Sequence, residues 1–424
     1  MEYKTVRGMK DLYGIDLEKY DYIISQAKKI AKTYGYNNIE TPILEHTNVF
    51  ERSIGNETDV VSKEMYTFQD RGGDSLTLRP EGTAGVIRSV VLENMTQHLP
   101  VKLMYYGPMF RYDRPQKGRF RQFHQLGFEH IENKTPYIDA LIISMARDIL
   151  HSIGIFDFTL HINTLGDQET KINYTKAIVK YLSRYEENLS DDSKRRLKTN
   201  PLRILDSKDQ KDREICSMAP IMSDYLSKES GQFFNKICKL LSDFGIKFEL
   251  DPFLVRGLDY YSHTTFEIKP KNLGFKDAIC GGGRYDNLVQ ELGGPDISGM
   301  GFAFGIERLM LILNNDKFQN NIQKVAIVPI SENESDFAFQ IMKNLLSHNI
   351  PVEFLSSGST TKKMKIADRL NCEIAIIIGE NEKNNKISTI KFMNKTEEHY
   401  KSCIVDNENL VSFIKQNINI KDPY

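Results

Sequence analysis

The sequence FRYDRPQKGRFRQFHQLGFE, residues 110–129, predicts two strands joined by a strongly basic turn. Pro115 and Gly118 favour the turn. Five cations lie within eleven residues around it: Arg111, Arg114, Lys117, Arg119 and Arg121. The strand that follows carries an aromatic ring, an amide and a carboxylate at odd positions: Phe123, Gln125 and Glu129. Such a hairpin could hold ATP, RNA or both, although a solvated basic hairpin gives the same cluster of charges.

The composition indicates a soluble globular protein with two or three domains. Its 424 residues exceed what one hydrophobic core normally supports. A charged fraction of 27% with a net charge of -1 argues against disorder and against a uniformly cationic coat for nucleic acid, so any RNA contact must come from local patches. The five scattered cysteines form no CxxC pair, and no apolar run approaches the roughly 18 residues that span a bilayer. We therefore expect a cytoplasmic protein.

Strand-like and helix-like segments alternate up to residue 313, and their hairpin-like spacing predicts an antiparallel sheet flanked by helices. We expect Asp16 to cap a first helix that ends at Gly35, and further helices at 81–95 and 138–153. The predicted strands are 38–43, 64–69, 75–79, 102–106, 119–129, 247–251, 264–269 and 278–280. A strand followed by a helix is expected in GMGFAFGIERLMLIL, residues 299–313.

Two changes of pattern suggest domain boundaries. In residues 184–214, seventeen of thirty-one residues are charged and none is glycine, which predicts a helical insertion at about 168–246. After a polar linker, 314–323, short apolar runs alternate with amphipathic helices, which predicts βαβ units and a small parallel sheet. We therefore predict one domain at 1–324 that includes the insertion, and an α/β domain at 325–424.

Three further segments carry candidate chemistry. In LVRGLDYYSHTTFE, residues 254–267, Arg256 precedes a glycine and two tyrosines, although a tyrosine-rich core strand would look similar. CGGGRYDNL, residues 280–288, has three glycines where backbone passes close to a neighbour, or an ordinary glycine turn. Arg308 lies in the first turn of a helix that Gly305 opens, where an anion could bind or the side chain could simply be solvated. No HExxH, GxSxG or GxxxxGK[ST] motif occurs.

Taken together, these segments resemble the class II aminoacyl-tRNA synthetases, and specifically the histidyl-tRNA synthetase family, over nearly the whole chain. TPILEHTNVFERSIG (41–55) is similar to the dimer-forming motif 1, and TLRPEGT (77–83) to the amino-acid-binding segment. Residues 110–129 resemble motif 2, and GFAFGIER (301–308) resembles motif 3. RGLDYY (256–261) and GGGRYD (281–286) resemble the two histidine-specific signatures. The resemblance implies an α+β fold: an antiparallel sheet flanked by helices, a helical insertion, and a carboxy-terminal α/β anticodon-binding domain.

The resemblance also implies roles for individual residues. The histidine substrate would be held by Glu81, Thr83, Gln125, Glu129, Tyr260, Tyr261 and Tyr285. Arg111 and Arg256 would be the catalytic residues, on either side of the α-phosphate. ATP, with Mg²⁺, would be bound by Arg111, Asp113, Arg119, Phe123 and Arg308, where Asp113 replaces the glutamate usual in the family. Gln116 would approach the acceptor end of the tRNA. No side chain is assigned as a metal ligand.

The activity implied is the ligation of histidine to tRNA(His) through histidyl-adenylate by a homodimer, without an editing domain. In the last domain, Lys362, Lys363, Lys365 and Arg369 form a basic strip on a predicted helix, although anticodon contacts are not assigned. Two other classes compete. One is a regulatory subunit of ATP phosphoribosyltransferase, and the other is a nucleic-acid-binding accessory protein with an inactive synthetase core. Intact Arg256, Arg308 and GGGRYD argue against both, and the terminal α/β domain argues against the first.

Overall fold

The computed structural model describes residues 3–55, 58–271, 278–318, 324–393 and 402–418. The chain forms two compact units, Met1–Asn314 and Asn315–Tyr424. No helix in the described ranges is both long and apolar enough to cross a membrane.

The first unit is built on a large, mainly antiparallel sheet. Its described strands are β1 (Asn37–Asn38), β2 (Leu44–His46), β3 (Tyr66–Gln69), β4 (Ser75–Leu78), β5 (Val101–Phe110), β6 (Gln122–Ile131), β7 (Phe158–Thr164), β8 (Glu249–Leu250), β9 (Ser262–Pro270), β10 (Cys280–Tyr285) and β11 (Gly299–Gly305). Eight of them form one sheet in the order β1-β5-β6-β11-β10-β9-β7-β8, and the other three form a small sheet, β2-β4-β3. Only the two outermost pairs of the large sheet, β1 with β5 and β7 with β8, are parallel.

The basic hairpin forms as predicted. Strands β5 and β6 pair from Val101 opposite Ile131 to Phe110 opposite Gln122, so residues 111–121 make the tip. The neighbouring strand β11 alternates as the sequence predicts, and its Phe302 stacks on Phe128 of β6 with ring centroids 4.9 Å apart. The described helices around the sheet are α1 (Ile15–Thr33), α2 (Thr47–Ile54), α3 (Thr83–Leu92), α4 (Pro136–Ser152), α5 (Gln168–Leu182), α6 (Asp191–Thr199), α7 (Gln210–Cys216), α8 (Lys228–Asp243), α9 (Leu288–Glu291) and α10 (Ile306–Met310).

Two local predictions in this unit are wrong. Helix α1 begins at Ile15 after Gly14, so Asp16 lies in the first turn and does not cap it, although a carboxylate there still favours the helix dipole. Residues 39–43 do not form the predicted strand, because the chain leaves its pairing with β5 to join the small sheet. The Arg79 guanidinium bonds the carbonyl oxygen of Thr41 at 2.9 Å in that stretch, in place of a neighbouring strand.

Helices α5 to α8 form a helical excursion between β7 and β8, in agreement with the predicted insertion in the fold. Its buried Asp212 accepts hydrogen bonds from the hydroxyl groups of three serines: Ser190 at 2.7 Å, Ser193 at 2.6 Å and Ser207 at 2.6 Å. This network joins the start of α6 to the segment before α7. It explains how a sequence so rich in charge still folds compactly, since buried carboxylates are stable only when hydrogen-bonded.

The second unit is a small sheet with helices. Its described elements are β12 (Lys324–Pro329), α11 (Ser335–Ser347), β13 (Val352–Phe354), α12 (Thr360–Arg369), β14 (Cys372–Ile378), α13 (Glu380–Asn385), β15 (Ile387–Phe392), β16 (Cys403–Asp406) and α14 (Leu410–Asn417). The strand order is β13-β12-β14-β15-β16. Two helical crossovers make β13, β12 and β14 parallel as predicted.

Two further strands, which the sequence analysis did not predict, extend this sheet in the antiparallel sense. Strand β15 is antiparallel to β14, and β16 is antiparallel to β15. The connection from β14 to β15 is too short for a parallel crossover, which normally needs a dozen or more residues. The prediction that Lys363 belongs to a basic surface strip is wrong. This lysine is 2% exposed, and its ammonium group donates to the carbonyl of Pro329 at 2.7 Å. Residues 319–323 of the predicted linker lie outside the described residues.

Candidate active site

A cavity of about 700 Å³ lies in the first unit between the hairpin tip, the face of the large sheet and the helical insertion. Most of the predicted site residues line it: Glu81, Thr83, Arg111, Asp113, Arg119, Phe123, Gln125, Arg256, Tyr260, Tyr261, Tyr285 and Arg308. Two predicted residues are not on its wall. Glu129 lies directly behind two lining side chains, and Gln116 is at the hairpin tip, where it pairs with Arg119.

Directly behind the cavity wall lies a buried carboxylate that two lining side chains bond through their hydroxyl groups. Glu129 on β6 is 1% exposed and accepts hydrogen bonds from Tyr285 at 2.5 Å and from Thr83 at 2.7 Å. Burial raises the pKa of Glu129 to about 8, because desolvation disfavours the charged form more than these two donors favour it. Gly301 is required next to it, since a β-carbon there would overlap the carboxylate.

Tyrosine rings close this end of the cavity. Tyr260 and Tyr261 have ring centroids 4.6 Å apart, and Tyr260 meets Tyr285 edge to face at 5.8 Å. All three side chains are buried. Their rings and hydroxyl groups give a compact pocket that can surround a flat polar ring and hydrogen-bond its edge.

The RPEGT segment is held by its own glutamate. The two carboxylate oxygens of Glu81 accept the backbone N–H groups of Thr83 and Ala84, each at 2.7 Å, at the start of α3. Burial raises the pKa of Glu81. The side-chain oxygen of Gln125 accepts the N–H of Gly82 at 3.2 Å, so the glutamine lies beside the same turn.

The other end of the cavity carries guanidinium groups from two distant segments, the hairpin tip and α10. Arg111 donates to the carbonyl of Pro80 at 2.8 Å and lies 5.3 Å from the ring centre of Phe123. Arg308 donates to the carbonyl of Ala278 at 2.5 Å and to that of Gly118 at 3.3 Å, which ties α10 to the hairpin tip. Arg119 lies 3.5 Å from the Asp113 carboxylate. Such a concentration of guanidinium groups suits a polyphosphate.

Arg256 lies in the loop before β9, and in the sheet β9 is separated from the hairpin strand β6 by β11 and β10. The arginine forms an ion pair with Glu267 of β9, and this pairing raises the pKa of Arg256 although burial alone would lower it. Its guanidinium lies over Gly281, where a β-carbon would overlap it. The first glycine of GGGRYD is therefore required for the arginine to cross the strand. The arginine of the same signature, Arg284, is 1% exposed and pairs with Asp139 of α4 instead of facing the cavity.

Several residues of the site were missed by the sequence analysis. Glu307, 5% exposed, accepts the backbone N–H of His124 at 2.9 Å and contacts His124 Nδ1 at 2.7 Å, which joins α10 to β6. Tyr105 of β5 also lines the cavity, packed where β-carbons at Gly82 and Gly127 would overlap its ring. From the insertion, five residues line the wall: Leu205, Asp206, Ser207, Lys208 and Arg213. The glutamate of GIER was the sequence signal for Glu307, and the glycine of PEGT was the signal for the ring of Tyr105. Nothing in the sequence of the insertion indicated which of its residues line the cavity.

Comparisons with known proteins show the family to which the chain belongs. Residues 8–309 match the family model described as histidyl-tRNA synthetase, and residues 324–417 match an anticodon binding domain. A histidine–tRNA ligase of Gluconacetobacter diazotrophicus is 45% identical over 389 residues, 92% of this chain and 93% of that protein. A histidine–tRNA ligase of Rickettsia bellii is 42% identical over 415 residues, covering 97% of this chain and 99% of that protein.

Among solved structures, the apo histidyl-tRNA synthetase of S. aureus superposes with a TM-score of 0.80 at 35% identity. The match covers 98% of this chain and 100% of that one. The predicted fold class and function are therefore confirmed, and the match of residues 324–417 argues against a regulatory subunit without this domain. The chain belongs to the histidyl-tRNA synthetase family, whose reaction it carries out: the ligation of histidine to tRNA(His) in two steps through histidyl-adenylate.

Proposed function

We propose that the cavity is where histidine and ATP bind side by side and form the adenylate, with the roles that the family resemblance suggests. The observation that supports this most is the position of Arg111, Arg256 and Arg308, which come from distant parts of the chain and line one cavity with the buried Glu129 pocket at its other end. A pocket for a flat polar ring beside a polyphosphate site is what the reaction requires.

In the nucleotide part, Phe123 stacks on adenine, and Arg111 and Arg256 contact the α-phosphate from opposite sides. Arg119 and Arg308 bind the outer phosphates, which are held near the hairpin tip. Asp113 lies beside the adenine site with its carboxylate already occupied by Arg119 at 3.5 Å and by the N–H of Arg114 at 2.6 Å. We infer that the shorter aspartate therefore contacts adenine weakly or through water.

In the amino-acid part, Glu81, Thr83 and Gln125 bind the α-amino group at the start of α3. Glu129, with the tyrosines 260, 261 and 285, binds the imidazole. A pocket that hydrogen-bonds both ring nitrogens discriminates strongly against analogues without them, because buried donors and acceptors would be left unpaired. This explains why the reaction can be accurate without editing.

The first step joins a histidine carboxylate oxygen to the α-phosphorus and breaks the bond from that phosphorus to the bridging oxygen of pyrophosphate. The carboxylate is a nucleophile at neutral pH, so the enzyme supplies alignment and neutralises the charge that develops on the phosphoryl oxygens. In the second step, the terminal ribose hydroxyl of the tRNA attacks the acyl carbon and AMP leaves. We propose that Gln116, which pairs with Arg119 at the hairpin tip, meets the acceptor end of the tRNA.

We propose that Mg²⁺ enters with ATP. In the described part of the chain, no cluster of three or more His, Cys, Asp or Glu side chains could hold a metal. This fits Mg²⁺, which is usually bound by substrate phosphates with one or two carboxylates and waters. When bound, Mg²⁺ would neutralise part of the phosphate charge, while the arginines of the cavity orient the nucleotide.

We expect the purified chain to exchange labelled pyrophosphate into ATP only when both histidine and Mg²⁺ are present. Removal of Mg²⁺ with EDTA should abolish exchange, and excess Mg²⁺ should restore it, because the phosphates bring the metal. The control is the same assay with histidine replaced by phenylalanine, which has a ring of similar size without ring nitrogens. Exchange that is independent of histidine, or that persists in EDTA, would contradict the proposal.

We further propose that residues 1–324, with the insertion at about 168–246, form the catalytic domain, and that residues 325–424 bind the anticodon. The five cysteines are all free, which supports a reducing cytoplasmic location. A homodimer is supported by the small sheet, whose paired residues place apolar side chains on one accessible face: Leu44, Tyr66, Phe68, Leu76 and Leu78. Leu44 is 42% exposed and Phe68 is 46% exposed.

We expect Leu44→Glu to convert the dimer into a monomer, since a charge on this face would be buried without a partner. Sedimentation velocity at micromolar concentration measures the change in mass. The matched control is Phe156→Glu, which puts the same charge on a side chain that is 69% exposed and lies outside the small sheet. A Leu44→Glu protein that sediments like the parent chain would disprove this interface.

A further inference from the structure

The loop that carries Arg256 has no secondary structure of its own to fix it. Residues 251–261 join β8 to β9 without a helix or strand. Their carbonyl groups therefore need partners from elsewhere. Asn163 of β7 donates its side-chain amide to the carbonyl of Leu254 at 3.1 Å, and Lys171 of α5 donates its ammonium to that of Tyr261 at 2.6 Å. These two contacts fix the loop near its beginning, at Leu254, and at its end, at Tyr261. They do not hold its middle, which includes Arg256.

In the middle of the loop, the backbone carbonyls of Arg256 and Gly257 are both bonded by one side chain of the insertion. Arg203 donates from Nη1 to the carbonyl oxygen of Arg256 at 2.9 Å and from Nη2 to that of Gly257 at 2.8 Å. The Arg203 side chain is 9% exposed. A planar guanidinium with two parallel donors fits two successive carbonyls, which an ammonium group cannot match.

The segment around Arg203 is itself firmly seated. It forms a 3₁₀ turn, Pro201–Asp206, whose Ile204 and Leu205 are buried in the same hydrophobic cluster as Tyr260 and Tyr261. Just before the turn, the side-chain amide of Asn200 donates to the Asp259 carboxylate at 3.1 Å. The turn is therefore a rigid support for the loop, and not a surface segment that happens to touch it.

We propose that Arg203 is a positioning residue for adenylate formation: by binding the carbonyls of Arg256 and Gly257, it sets the place from which the Arg256 guanidinium reaches the α-phosphate. This inference rests on the proposed role of Arg256. The side chain of Arg256 has little freedom to compensate for a backbone shift, because it is confined between Glu267 and the Gly281 backbone. A displacement of about 1 Å at such a group costs about a hundredfold in rate. The insertion thus acts on the chemical step through Arg256.

Single-turnover formation of histidyl-adenylate by rapid quench, with saturating histidine and ATP, tests this role. We expect Arg203→Met to lower the rate about a hundredfold. Arg203→Lys should lower it about tenfold, since one carbonyl can still be bonded. Dissociation constants for histidine and ATP should change little, because the residue touches neither. A purely structural role would instead lower the melting temperature and leave the rate of the folded protein unchanged.

The control is Arg196→Met, which also removes an arginine that joins the insertion to the rest of the unit. Arg196 forms an ion pair with Asp59 at 2.7 Å, and Asp59 lies outside the loop. We expect Arg196→Met to change the melting temperature without slowing adenylate formation. If Arg203→Met fails to fold, the rate of Arg203→Lys decides the question, and a rate equal to the parent's overturns the proposal.

A double-mutant cycle separates the positioning role from the role of Arg256. If Arg203 acts through Arg256, adding Arg203→Met to Arg256→Ala should cost no further rate. Losses that multiply in the double variant would overturn the positioning role. A full rate in Arg256→Ala alone would refute the proposed role of Arg256 itself. A full rate in Arg203→Met beside a slow Arg256→Ala would refute only the inference about Arg203.

Discussion

Replacing Arg256 by alanine is expected to slow histidyl-adenylate formation about a thousandfold while histidine and ATP still bind. The physical reason is that charge on the α-phosphoryl oxygens increases as the histidine carboxylate attacks, so a guanidinium fixed beside them stabilises the transition state more than the bound substrates. Rapid-quench measurement of a single turnover gives the rate, and calorimetric titration gives the affinities for histidine and ATP.

The Arg256→Ala variant also removes the guanidinium partner of Glu267, whose remaining ion pair is with Lys269 at 3.3 Å, and so leaves more uncompensated negative charge near the phosphates. The double variant Arg256→Ala with Glu267→Gln removes that charge, and its rate should remain low. Arg256→Lys should recover only part of the rate, since an ammonium is a point charge without the planar fork of arginine. Arg195→Ala is the control, because that side chain is 55% exposed and its ion pair is a local one, with Asp192. A rate in the double variant that equals the parent's would remove Arg256 from the catalytic assignment.

The hairpin and its flanking strands could be predicted from local sequence because their signals are local. Turn residues at Pro115 and Gly118, cations around them and odd-numbered side chains after them all lie within twenty residues. The structure places the tip at residues 111–121 between β5 and β6. The same kind of local signal failed for residues 39–43, whose extended pattern says nothing about which strand is available to pair with them.

What local sequence could not give is the order of strands across the sheet. Arg111 follows β5, Arg308 follows β11 and Arg256 precedes β9. These strands are far apart in the sequence, but in the sheet only β6 separates β5 from β11, and only β10 separates β11 from β9. The convergence of the three arginines was expected from the family resemblance and not from periodicity. The same limit explains why the contact of Arg203 with the Arg256 loop was missed, since an insertion rich in charge gives no sign of which arginine turns inward.

Lys363 illustrates the opposite failure. Its place in a run of cations suggested a surface for RNA, but a lysine at that point of α12 lies under the helix and binds the end of β12 through the Pro329 carbonyl. Charge in a sequence predicts exposure only on average, because a buried ammonium is tolerated wherever a carbonyl otherwise lacks a partner. The remaining basic residues of the strip, Lys362, Lys365 and Arg369, still form a candidate RNA surface.

Replacing Glu129 by glutamine is expected to raise the KM for histidine about a hundredfold, with a smaller change in the rate of the chemical step. The carboxylate accepts hydrogen bonds from Thr83 and Tyr285, and the proposed imidazole N–H would be a third donor. A glutamine of the same shape has one acceptor oxygen and an amide group that would point a donor at one of these donors. Steady-state pyrophosphate exchange at varied histidine and saturating ATP measures the effect, and Thr83→Ser, which keeps the hydroxyl, is the matched control. A KM equal to the parent's would exclude the carboxylate from histidine binding.

The same residue should make histidine binding depend on pH. The pKa of Glu129 before substrate binds is about 8, so at pH 7 most of the free enzyme carries a protonated carboxyl that must lose its proton to accept the imidazole N–H. The KM for histidine should therefore fall as the pH rises from 7 towards 8, and then level off once the carboxyl is ionised. Free imidazole titrates near about 6.5, below this window, so it contributes little to the change. In Glu129→Gln the KM should be flat across the same range. A flat profile in the parent enzyme, or a slope that survives in the variant, would show that another group controls binding, since only this buried carboxyl is removed by the substitution.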